Sequence, residues 1–220
     1  MMVVRIVTLL LCVGLVSVAH AQFSSPFGGA KSGGDISLQV DMYNGDASII
    51  NRSVGNALLQ IVAALGTKEQ VSAIREKADS LNKTTDPKEV GAIVGTIVKD
   101  DNGKSLELLK SADAKEKMAK LSPQIQKSVA RSIFNVGIAA LKMPDMIEKG
   151  KGIVSSAGSN PMSIGKIAPV KNGMDLFIEA LPKLPTIASV GLQLMRDVKV
   201  DPGNPTKDSK IENSPVSFPE

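Results

Sequence analysis

Histidine and cysteine occur once each in this chain, as His20 and Cys12, and tryptophan does not occur at all. Both single residues fall within the first twenty-one positions. Arg5 gives that segment a positive start, an apolar run follows from Ile6 to Val18, and Ala19-His20-Ala21 closes it. This is the order of charge, hydrophobic run and small-x-small exit found in export leaders. A cleaved signal peptide is therefore expected over residues 1–21, with the cut before Gln22, and an exported protein, periplasmic or extracellular. Cys12 lies inside the run behind Leu9-Leu10-Leu11, without the small residues that precede a lipidated cysteine.

Loss of the leader would leave neither imidazole nor thiol. That excludes a Ser-His-Asp triad, an imidazole general base near neutral pH, a thiol nucleophile and any disulfide. Zinc or copper would have to be held by carboxylates alone, which suit calcium, magnesium or manganese better. No metal site, no cofactor and no enzymatic activity are expected. Aromatic residues make up 3% of the chain: Tyr43 and five phenylalanines. The core must therefore be aliphatic. The net charge of +4 is spread along the chain, with no basic stripe and no stacking aromatics, so nucleic acid is not an expected partner. Beyond the leader, no apolar run nears the roughly 20 residues of a membrane span, and no transmembrane segment is expected in the mature chain.

The remaining residues divide by pattern. Residues 22–34 are rich in Ser, Gly and Pro and read as a flexible segment. Ile36, Leu38, Val40 and Met42 alternate with Asp35, Ser37, Gln39 and Asp41. Period two predicts a strand, ended by the turn signal Asn44-Gly45. Val198 and Val200 alternate with polar residues in the same way, so 197–201 could supply a second short strand that pairs with 36–42.

Between these the helical period dominates. Val54, Leu58, Ile61, Val62 and Leu65 share one face, and Val71, Ile74, Ala78 and Leu81 the next. Asp86-Pro87 and Ser122-Pro123 each pair an N-cap residue with proline at the first helical position. Asn102-Gly103 is expected to close the first of these helices and Pro144 the second. Residues 150–173 hold five glycines and two prolines and read as a long connection with one short helix begun at Asn160-Pro161. The expected fold is mainly α: one domain over residues 35–200, of six to eight helices, with one or two short strands. Residues 201–220, rich in proline and poor in apolar side chains, are expected to form a disordered tail.

Several motifs lead nowhere. Asp100-Asp101-Asn102-Gly103 puts Val98, which cannot ligate, at the first position of a calcium loop, so a turn at a helix end is expected. Gly165-Lys166-Ile167 lacks both the earlier glycine and the following Ser or Thr of a phosphate loop. Asn51-Arg52-Ser53 and Asn82-Lys83-Thr84 match the glycosylation acceptor. The glutamates Glu69, Glu76, Glu89, Glu107, Glu116, Glu148 and Glu179 mostly neighbour lysines and read as solvated charges.

Small and soft residues are the better lead. Val54-Gly55, Val90-Gly91, Val136-Gly137 and Val190-Gly191 place glycine inside helical segments, at about 1 kcal/mol each against alanine. Such positions serve close helix–helix contact or a groove. Methionines cluster in the second half, where they fill gaps or line adaptable surfaces. The candidate groove residues are Gly91, Gly95, Gly137, Gly191, Met143, Met146 and Met174. The expected function is non-enzymatic binding of a partner protein or apolar small molecule in that groove. Two other readings stand beside it: a carboxylate-dependent hydrolase of cell-wall or polysaccharide substrate, and weak contact of lysine-rich helices such as 110–120 with an anionic membrane surface.

Overall fold

A computed structural model describes residues 36–158 and 167–219. The leader, the segment 22–34 and the short helix expected at Asn160-Pro161 lie outside the described residues. Within them the chain forms seven helices and no strand. They are α1 (Ile36–Leu65), α2 (Lys68–Lys83), α3 (Pro87–Lys110), α4 (Ala114–Lys120), α5 (Pro123–Gly158), α6 (Ala168–Ala180) and α7 (Leu184–Asp197). All belong to one unit, residues 31–220.

Helix α1 is the axis of the bundle. Its last sixteen residues are buried apart from Arg52, and α2, α3, α4, α5 and α6 all pack on it. Ile50, Leu58, Leu59, Ile61 and Leu65 are fully enclosed. Each such side chain contributes about 1.5–3 kcal/mol through burial. By length and composition α1 could cross a membrane, but 83% of its most apolar window is buried inside the bundle, as in a core helix. The core is aliphatic, with Phe177 and Tyr43 its only buried aromatics among the described residues.

The expected strand at 36–42 is helix instead. Val40, Tyr43, Ala47, Ile50 and Val54 are buried at alternating steps of three and four, while Leu38 and Met42 stay 60% and 39% exposed. Four alternating residues cannot outweigh a helical stripe that continues for twenty more. Asn44-Gly45 is therefore an interior step of α1. The strand expected at 197–201 is also absent, because these residues terminate α7. Lys199 adopts φ 64°, and its N–H bonds to the Arg196 carbonyl while that of Val200 reaches Met195. This is the Schellman closure of a helix, with lysine where glycine is usual.

Two further breaks are overridden by packing. Asn102-Gly103 lies inside α3, where Asp101, Asn102 and Ser105 are buried and the Ser105 hydroxyl donates to the Leu58 carbonyl at 3.1 Å. Pro144 lies inside α5 on the solvent side, between the buried Met143 and Met146. Burial of Ile133, Val136 and Ala139 before it, and Ile153 and Ala157 after it, outweighs the roughly 3 kcal/mol an interior proline costs. The two cap-plus-proline starts are as expected. Asp86 accepts from the N–H of Lys88 at 2.8 Å and of Glu89 at 3.0 Å, and α5 begins at Pro123 behind Ser122. Thr67 and Gln70 form a reciprocal capping box on α2.

The tail expected to be disordered is a strap. Residues 201–219 contain no helix or strand, yet Pro202 and Ser214 are buried, and Ile211, Val216 and Phe218 pack on the core. Its own apolar content is low, so polar groups of α1 and α5 hold it.

Candidate functional site

Two grooves run beside α1. The first lies between α1, α3 and α6 and encloses about 630 Å³. Its apolar lining is small: Gly45 and Ala47 from α1, Gly91 and Ala92 from α3, Gly173 and Leu176 from α6. A Cβ added at Gly45 or Gly91 would meet nothing within 4 Å. Asp41, Asn44, Ser48, Asn51, Asp86, Lys88 and Asn172 supply polar groups around it. The N-terminus of α3 borders the groove, but its first free N–H groups are already taken by Asp86. The groove therefore offers an apolar floor with a mixed polar rim and, among the described residues, no metal-ligand set.

The second groove, between α1 and α5, holds the strap. Gln60 of α1 grips both main-chain groups of Ser217: its Nε2 donates to the carbonyl at 2.9 Å and its Oε1 accepts from the N–H at 2.7 Å. Asn135 of α5 does the same to Glu212, donating at 2.8 Å and accepting at 3.2 Å. Ser128 reaches Ser217 at 3.2 Å, and Ser132 meets Ser214 at 3.5 Å. Ser128, Ser132 and Asn135 are spaced by four and three residues and so form one stripe of α5. At the strap's end, the Arg75 guanidinium lies 4.3 Å from the centre of the Phe218 ring.

The seven residues expected to form one groove do not converge. Gly91 lines the first groove, and Gly95, one turn on, lies 4.0 Å from a methyl of Leu176, measured from its added Cβ. Gly137 lies under Pro205 of the strap, and Gly191 lies against Ile133. Met143 and Met146 are buried in the core, and Met174 lies over Gly150. Gly55, Gly137, Gly150 and Gly191 therefore allow close approach, and only Gly91 of the expected set opens onto unfilled space. Gly45 was masked in the sequence by its resemblance to a turn. Gln60 and Asn135 had a signal: each is a lone amide within an apolar helical stretch.

The acids are scattered. All seven glutamates named above are exposed. Asp101 is fully buried, but it bonds Lys77 at 2.8 Å and Lys104 at 2.7 Å, and Lys77 also holds Asp100 at 3.0 Å. Burial pulls the Lys77 ammonium down, and its two carboxylate partners outweigh this and leave it raised. Among the described residues no cluster of acids, histidines or cysteines could hold a metal ion. Asn51 is buried in α1, which leaves its amide closed to glycosylation, whereas Asn82 is exposed.

Among the described residues, fold and grooves together describe an all-α bundle with an open small-residue groove and another groove occupied by its own chain. No family model matches the sequence, and neither a curated protein nor a solved structure shows significant similarity to it.

Proposed function

We propose that this is an exported, non-enzymatic binding protein that takes an apolar ligand, or an apolar segment of a partner protein, in the α1/α3/α6 groove. The observation that carries this reading is the unfilled space over Gly45 and Gly91. Glycine inside a helix is unfavourable by about 1 kcal/mol against alanine. Where a neighbour presses on the glycine, packing offsets that cost. At Gly45, which is exposed, and Gly91, which is half-buried, nothing presses, and both line the same groove, where a larger side chain would fill it. A groove of this size falls in the range of small-molecule sites, which run about 300–1,000 Å³. Export rests on residues 1–21 and is tested by N-terminal sequencing, which should begin at Gln22.

The binding reading is tested by native mass spectrometry of protein purified from its own source, beside the variants Gly45→Leu and Gly91→Leu. The side chains enter open space, so both variants should fold and unfold at the wild-type temperature or above. Wild type should carry an adduct that both variants lose. A wild-type protein free of any adduct, or variants that keep it, would refute the assignment.

A further inference from the structure

The strap is held largely through its main chain. Gln60 and Asn135 each clasp the paired N–H and C=O of one residue, five positions apart on an extended chain. The face beneath combines the apolar contacts of Ile211, Val216 and Phe218 with a polar row, Ser128, Ser132, Asn135 and Gln60, of which Gln60 is fully buried and Ser132 and Asn135 nearly so. A surface covered for good gains most from apolar side chains, because buried polar groups contribute only through the bonds they make. A polar row, by contrast, can be rehydrated when its cover leaves. Each bond then exchanges for one to water at little net cost.

The connection to the strap is poised for such a departure. Lys199 holds a left-handed backbone, with φ 64°, and Gly203 follows with φ 73°. For lysine that conformation is unfavourable, and an extended connection relieves it. A strained hinge of this kind favours exchange of a segment between copies.

We propose that the strap exchanges between two copies of this chain, each seating residues 204–218 in the α1/α5 groove of the other. The occupant follows from complementarity. Pro205 lies on Gly137, Ser214 meets Ser132, Glu212 pairs with Arg131 at 3.0 Å, and Phe218 lies against Arg75. A second copy brings every one of these partners, so a closed two-fold pair gives up only the local bonds of the connection, those of the Lys199 and Val200 N–H groups.

Disulfide trapping tests this on the full chain. Ser132→Cys and Ser214→Cys are combined with Cys12→Ser, and the protein is oxidised after incubation at about 1 μM and at about 1 mM, near the effective concentration of a short tether. The intrachain bond should dominate in the dilute sample, and a covalent dimer should rise more than about tenfold in the concentrated one. Neither single-cysteine variant should give that dimer. Should the double variant misfold, wild-type chains of ordinary and heavy isotope are mixed at the higher concentration and weighed by native mass spectrometry, where a mixed-mass dimer is expected. Only intrachain bonds and no mixed dimer would overturn the proposal. So would tight binding of a labelled peptide of residues 204–219 without any dimer, since the groove would then take a free segment of another protein.

Discussion

Tyr43 should be a better phenylalanine than tyrosine. Its side chain is 3% exposed, and its hydroxyl has no hydrogen-bond partner among the described residues. It sits in a corner where a Cβ on Gly150 or Gly173 would come within 3.2 Å or 3.3 Å of its atoms. A buried hydroxyl left unpaired costs about 1–3 kcal/mol, while the ring keeps its packing in either residue. Tyr43→Phe should therefore stabilise the fold by about 1 kcal/mol, which raises Tm by roughly 2–4 °C in a domain of this size. Urea unfolding measures the first quantity and calorimetry the second. The same burial pushes the phenol well above its usual pKa of 10.0. The folded state then keeps a proton that the unfolded chain releases, so this contribution to stability is whole below pH 10 and declines above it. With one tyrosine and no tryptophan, tyrosinate absorbance reports this group alone. Native protein should show none until it unfolds, and Tyr43→Phe should lose less stability in alkali than wild type. A variant destabilised by 1 kcal/mol or more, or a native phenol that ionises near pH 10, would show that the hydroxyl has a partner or meets solvent.

The two kinds of glycine should respond oppositely to alanine. Gly191→Ala sets a methyl 2.8 Å from Ile133 and should cost about 1–3 kcal/mol, whereas Gly91→Ala meets open space and should gain up to about 1 kcal/mol. Equal signs in chemical unfolding would refute the distinction. Lys199→Gly should stabilise by about 1 kcal/mol, because φ 64° suits glycine; a loss would mean that α7 does not end in this closure. Replacing Lys77 and Lys104 together with Met leaves Asp101 buried and unpaired. In a double-mutant cycle this should cost about 3–5 kcal/mol, more than the two single changes summed. Additivity would show that water reaches the carboxylate.

The sequence is clear wherever one signal stands unopposed. Asp86-Pro87 and Ser122-Pro123 give helix starts because cap and proline act within a few residues, and no distant contact contradicts them. Local signals fail where distant packing is stronger. The alternation of Ile36 to Met42 ignores the stripe from Val40 to Val54, whose buried face depends on α5 and α6. Gly103 and Pro144 weaken helices locally, but the side chains on both sides of each are locked into the core. The strap was illegible for a different reason. Its hold comes from Gln60 and Asn135, 157 and 77 residues away, through main-chain groups that any sequence carries. Of the site, glycine's presence at Gly91 could be read, but not the emptiness above it. The same residue type at Gly191 is pressed by Ile133, and nothing nearby in the chain separates the two cases.

The central placement of α1 has a price during synthesis. The helix that every other layer except α7 rests upon is also the first of the described seven to be made, and α5, one of its two chief neighbours, ends almost a hundred residues later. At about 5–20 residues per second, its oily side chains wait several seconds for cover. The side chains of α1 that face α5 are therefore made well before the helix that covers them, and in that interval they are open to association with other chains.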